Sequence, residues 1–163
     1  MTSKEAFIQI IQSNQGIINS VCRLYFSTEE DVKDARQEVI LQLWKSFPSF
    51  RGEAKPSTWI YKVALNTILK LKRKLDRQPE LIFEKDTSNS VSITPTDDDI
   101  RQLQQVIGLL NDKDKALVLL FLEGYCHKEI AITLDTSPTN VSTRFNRIKQ
   151  KMRNLYKKYT HES

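Results

Sequence analysis

Between Thr136 and His161 the chain carries Arg144, Arg147, Lys149, Lys151, Arg153, Lys157 and Lys158 and no acidic residue. Cations gathered without counter-charges suit contact with a row of phosphates. The same stretch shows Thr139, Asn140, Ser142 and Thr143 beside Arg144 and Arg147. Short polar side chains and arginines are the types that read base edges in a major groove. A plain helical hairpin with a solvated basic face would use the same residues, so spacing has to decide.

The segment Glu129–Arg144 has the spacing of a helix-turn-helix. Ala131 is small where two steeply crossing helices touch. Ile130, Leu134, Val141 and Phe145 or Ile148 can close a small core. Asp135 stands where the turn needs a left-handed residue, a conformation aspartate tolerates less well than glycine. Ser137 caps the second helix and Pro138 fits its first turn, where the missing N–H costs nothing.

Catalysis would need a carboxylate cluster, a metal set, or a nucleophile with its base. His127 and His161 stand without partners in the sequence, and no CxxC pair exists. Cys22 and Cys126 read as isolated buried thiols rather than zinc ligands or a disulfide. The chain is therefore not expected to be an enzyme or to hold a cofactor or metal.

The elements that must position these groups are helices. Four glycines and five prolines in 163 residues mark few turns, and no stretch alternates as a strand would. Apolar residues at helical spacing predict a first helix over 3–26, bent or weakened at Gly16. A second runs to about Phe47, with Val32, Ala35, Val39, Leu43, Trp44 and Phe47 inward. Residues 48–57 read as a loop. A third helix, capped by Ser57 or Thr58, runs from Trp59 to about Arg77. Its inner stripe is Ile60, Val63, Ala64, Thr67, Ile68, Leu71 and Leu75. Its other face carries Tyr61, Lys62, Asn66, Lys70, Arg73 and Lys74. Further helices are predicted over 100–110, 112–123 (capped by Asn111 and ended by Gly124), 127–134 and 138–159. The fold class is all-α, with two small helical domains joined by a linker, the C-terminal one a helix-turn-helix.

Charge divides the chain in the same way. Residues 1–78 hold 13 basic and 8 acidic side chains, 79–100 hold 1 and 6, and 101–163 hold 11 and 6. Two basic lobes flank an acidic strap, which suggests two surfaces that each meet a polyanion. The domains are thus 1–78, a linker at 79–99, and 100–163. No signal-peptide pattern and no apolar run near the ~20 residues of a membrane span is present, so a cytoplasmic protein without membrane insertion is expected.

Three segments in order carry a resemblance. Leu119–Arg153, LLFLEGYCHKEIAITLDTSPTNVSTRFNRIKQKMR, resembles the C-terminal domain of extracytoplasmic-function (ECF) sigma factors of bacterial RNA polymerase. Asp34–Trp44, DARQEVILQLW, resembles that family's core-binding helix, and Thr58–Lys74, TWIYKVALNTILKLKRK, its promoter-melting helix. The sequence departs from the family pattern at Lys70 (usually aspartate), Asp135 (usually glycine), Cys126 (usually serine) and Asn111 (usually proline).

The resemblance implies a promoter-specific initiation factor whose partners are core RNA polymerase, promoter DNA and, commonly in the family, an anti-sigma protein. Residues 1–78 would be the region 2-like domain and 100–163 the region 4-like domain. Asp34, Arg36, Gln37, Glu38 and Gln42 would dock on the polymerase. Phe50, Arg51, Lys55, Ser57, Trp59, Tyr61, Lys62, Asn66, Lys70 and Arg73 would hold the separated strand at the −10 element, where stacking rings and nearby cations suit unpaired bases. Ser137, Thr139, Asn140, Ser142, Thr143, Arg144, Arg147 and Lys149 would read the −35 element. The competing reading is a helix-turn-helix regulator that acts without polymerase. It calls for an acidic phosphorylation pocket or ligand domain upstream, and residues 1–78 are helical and basic instead.

Overall fold

The computed structural model describes residues 2–76, 103 and 105–161, and among them every regular element is helical. The chain divides into two compact units, Met1–Thr87 and Ser88–Ser163. The acidic stretch expected as the linker, 79–99, lies outside the described residues.

The first unit holds α1 (Ser3–Ser13), α2 (Gln15–Tyr25), α3 (Glu29–Ser46) and α4 (Pro56–Asp76). Thr2 and Glu5 cap α1 reciprocally, each side chain accepting the other's backbone N–H at 3.2 Å. The single helix expected over 3–26 is instead two. The break falls at Asn14 (φ −125°, ψ 22°), whose side-chain amide donates to the Ile10 carbonyl at 2.8 Å. Asparagine thereby satisfies a helix-end carbonyl, and Gly16 sits inside α2. Thr28 caps α3 by accepting from the Asp31 N–H at 3.1 Å, with Glu29, Glu30 and Asp31 at the positive end of the helix dipole.

Helix α4 begins at Pro56, earlier than the Ser57 or Thr58 cap expected, because proline suits a first helical position. It packs against both α2 and α3. Two partners widen its buried arc: Ile60, Tyr61, Ala64, Leu65, Thr67 and Ile68 are all inside, spanning about 160° at ~100° per residue. Tyr61, expected on the open face, falls within that wider arc and is 4% exposed. Leu75, expected inward, is 40% exposed in the last turn. Val21, Cys22, Val39, Leu43, Ile60 and Ile68 form the dry centre of this unit. Burial pushes the Cys22 thiol up to about 11.

The second unit holds α5 (Asp112–Leu122), α6 (His127–Thr133) and α7 (Pro138–His161), with residues 105–108 helical before them. Leu117, Leu120, Ile130, Ala131, Val141 and Ile148 are its core. The ends of α5 and α6 close in the same way. After α5, Gly124 takes φ 92° while its N–H reaches Phe121 O at 3.0 Å and the Tyr125 N–H reaches Leu120 O at 3.1 Å. After α6, Asp135 takes φ 57° while the Thr136 N–H reaches Ala131 O at 2.9 Å. Both are Schellman closures, one built on glycine and one on aspartate.

Candidate nucleic-acid interface

Helices α6 and α7 cross in the second unit with Ala131 buried between them. The Ser137 hydroxyl accepts the Asn140 N–H at 3.1 Å and so caps α7. Along α7, Thr139, Thr143, Asn146, Arg147 and Gln150 are exposed and fall within an arc of about 100°. No acid lies on this helix. Its first turn also exposes Asn140, whose amide donates to the Thr136 hydroxyl at 2.7 Å. Lys149 is exposed but leans over the Phe145 ring, its ammonium 5.0 Å from the centroid.

Two of the expected base-reading residues turn inward. The Ser142 hydroxyl lies 2.9 Å from His127 Nδ1, so His127, unpartnered in the sequence, has a partner in the fold. Arg144 donates to the Asp114 carboxylate at 3.3 Å, and its side chain is 29% exposed. Asn146 and Gln150 take their places on the outer face. The signal that identifies them is the helical series 139, 143, 146 and 150. Cys126, expected to be buried, is exposed just before α6. Its backbone N–H donates to the Glu129 carboxylate at 3.1 Å, so that carboxylate rather than the thiol closes this end.

In the first unit most of the residues expected at the −10 element form one edge. Trp59, Lys62, Asn66, Lys70 and Arg73 lie within about 80° on α4, with Lys62, Lys70 and Arg73 exposed and Trp59 and Asn66 half-buried. Phe50 stacks on Trp59 with ring centroids 4.6 Å apart and planes 24° from parallel. Arg51 and Lys55 are exposed on the loop between them, and Ser57 is half-buried in the first turn of α4. Tyr61 does not join this edge.

Phe50 and Trp59 end a longer row of rings. Phe7 meets Trp44 at 5.0 Å and Phe47 at 5.4 Å, and Phe47 meets Phe50 at 6.4 Å. Trp44, expected as core, is 44% exposed near the end of α3, where Phe7 of α1 meets it in an edge-type contact at 5.0 Å and Phe47 stacks on it at 6.5 Å. Asp34, Gln37, Leu41 and Trp44 share one exposed stripe of about 80°. Glu38 and Gln42 sit on its shoulder, joined by a 3.2 Å hydrogen bond, and Arg36 lies on the opposite flank. Leu41 is not among the polar residues expected to dock, yet its 44% exposure on this stripe makes the surface partly apolar.

Among the described residues no group of three or more His, Cys, Asp or Glu side chains could hold a metal ion, and no helix is long and apolar enough to cross a membrane.

Comparison with known proteins places these surfaces in context. Residues 10–78 match the family described as Sigma-70 region 2, and residues 100–152 match Sigma-70, region 4. The chain is 28% identical over 166 residues to the ECF RNA polymerase sigma-E factor of Haemophilus influenzae, covering 93% of this chain and 87% of that protein. It is 24% identical to the ECF RNA polymerase sigma factor SigM of Mycobacterium tuberculosis, covering 92% and 76%. Its fold matches that of the sigma factor RpoE from Bartonella quintana, solved in complex with the anti-sigma factor NepR, with a TM-score of 0.69, 15% identity, and 94% and 96% of the two chains covered. It also matches CnrH, solved with the cytosolic domain of CnrY, with a TM-score of 0.66, 20% identity, and 94% and 89% covered.

Proposed function

Because this chain belongs to the Sigma-70 family, in its extracytoplasmic-function group, we propose that it binds core RNA polymerase and directs promoter-specific initiation in the cytoplasm. The observation that carries this reading is the order of the two matches, region 2 over 10–78 and region 4 over 100–152, spanning most of the chain. A regulator that merely shared the helix-turn-helix would lack the first. The family acts by binding rather than by catalysis of its own.

The division of labour follows the surfaces. The α3 stripe of Asp34, Gln37, Leu41 and Trp44, with Glu38 and Gln42 at its shoulder, docks on the polymerase. Aromatic anchors ringed by polar groups concentrate binding energy at such surfaces. The edge of Phe50, Trp59, Lys62, Asn66, Lys70 and Arg73, with Arg51, Lys55 and Ser57 beside it, takes the displaced single strand of the −10 element by stacking and phosphate contact. Tyr61 supports that edge from inside. The outer face of α7 lies in the major groove of the −35 element, where Thr139, Asn140, Thr143, Asn146, Arg147 and Gln150 reach base edges and Lys149 reaches phosphate. An anti-sigma protein is a further partner: the RpoE and CnrH structures each hold a second protein, and a partly apolar stripe like that of α3 suits such a contact.

The test is run-off transcription from a genomic DNA library with core polymerase, with and without this protein. Discrete start sites that require the protein are expected, and aligning the DNA upstream of them gives both elements. If core gains no specific start and the protein does not co-elute with it, the sigma reading falls.

A further inference from the structure

Two residues of α7 leave its outer face and hold the rest of the second unit from opposite sides. Ser142 lies about 40° beyond one edge of the arc formed by Thr139, Thr143, Asn146, Arg147 and Gln150, and Arg144 about 60° beyond the other. Ser142 reaches back to His127, the first residue of α6, at 2.9 Å. Arg144 reaches Asp114, in the first turn of α5, at 3.3 Å. The Asp114 side chain is only 15% exposed, so its charge is largely turned to Arg144 rather than to water.

The apolar contacts beneath α7 decide which face it buries, and the polar contacts refine its rotation. Val141 and Ile148 are buried and Phe145 lies 4.4 Å from the Phe121 ring, but apolar burial is non-directional. Hydrogen bonds weaken steeply with angle and distance. Two of them, one on each side of the outer face, refine the azimuth of the helix. A rotation by half a residue step, about 50°, would carry Thr143 and Gln150 off the centre of the face.

We propose that Asp114 is a positioning residue for base reading: it withdraws Arg144 from the DNA face and, with the His127–Ser142 bond, fixes the rotation of α7 that presents Thr139, Thr143, Asn146, Arg147 and Gln150. This rests on the reading of α7 as the helix that binds the −35 element. It changes the assignment of one arginine, which becomes a strut instead of a reader. Asp114 itself never approaches DNA.

The experiment is transcription by core polymerase reconstituted with the full chain, from a promoter library randomised across the upstream element, scored by transcript sequence. Asp114→Asn and Arg144→Ala are each expected to lower initiation about tenfold, with the double variant no worse than either, as for two residues acting through one contact. Both broaden the preference over several neighbouring base pairs, since a rotated helix misplaces every reader together. Arg144→Lys keeps the ion pair and most of the selectivity, which a bidentate base contact would not allow.

The proposal is overturned if Arg144→Ala relaxes preference at one base pair while Asp114→Asn leaves initiation unchanged or raises it. It is overturned equally if both variants lose activity with an unchanged base profile and a lower unfolding midpoint, because the pair then serves only to hold the fold. A parent protein that initiates at no member of the library removes the underlying reading as well, and that result is distinct from either of these.

Discussion

Replacing Asp135 with glycine should make the second unit more stable. Asp135 is the one described residue other than glycine with positive φ, 57°. A left-handed conformation costs an L-residue about 1–2 kcal/mol, and aspartate tolerates it better than most. Glycine removes that strain but loses about 0.5 kcal/mol through its greater freedom in the unfolded chain. The net expectation is a gain of about 0.5–1 kcal/mol, which for a unit of this size raises its melting midpoint by about 2–8 °C. Alanine keeps the Cβ and with it the left-handed cost, so it should bring no such gain. The assay can separate the units, because both tryptophans, Trp44 and Trp59, lie in the first. Fluorescence then follows the first unit alone, while circular dichroism follows both. The shift should appear in the dichroism transition and leave the fluorescence transition in place. A lower midpoint for Asp135→Gly, or alanine equal to glycine, would falsify the argument from backbone strain.

Other expectations test the remaining surfaces. Near neutral pH, iodoacetamide should add to the exposed Cys126 and spare Cys22 in the folded protein, as intact mass would show; equal labelling would contradict the packing around Cys22. Cys22 keeps its proton in the fold up to about 11, whereas its ordinary value is 9.0. Its contribution to stability is therefore complete below pH 9.0 and lost as pH rises through about 11, visible as a falling urea midpoint. Leu41→Asp should weaken co-elution with core polymerase about tenfold or more without changing the melting midpoint, since Leu41 is exposed on α3. Trp59→Ala and Asn66→Ala should each slow initiation about tenfold on duplex promoters through lost strand contacts. A template already unpaired at the −10 element should restore much of the rate; equal loss on both templates would move these residues from strand capture to folding.

Much of this fold is legible in the sequence because local signals and global packing agree. Asn111, Thr28 and Ser137 cap the helices that begin after them, and Gly124 closes α5. The left-handed turn at Asp135 is readable from position alone, even with an unusual residue there. The features that cannot be read this way depend on neighbours. Tyr61 and Leu65 are buried because α4 touches two helices, and a stripe drawn for one partner is too narrow. Trp44 has the composition of core and the environment of a surface, since nothing in its own helix reveals how little its neighbours cover it. Arg144 and Ser142 have the residue types of base readers, but their partners Asp114 and His127 lie 30 and 15 residues away in sequence. Asn146 and Gln150 are hard to see for the opposite reason: periodicity includes them, while residue type points to their neighbours.

The Phe50–Trp59 stack has a consequence for stray nucleic acid. Rings that already face each other at 4.6 Å are occupied seats, and an incoming base must either part them or extend the pile from outside. Parting an aromatic pair forfeits about 0.5–1.5 kcal/mol. That is a handicap of roughly twofold to tenfold on any strand whose base parts the pair, felt before a favourable contact forms. A strand held in register by a partner meets this handicap once and retains every later contact, whereas a wandering transcript meets it at each encounter. If the edge takes a single strand as proposed, the stack favours a strand that a partner presents over one that arrives by chance.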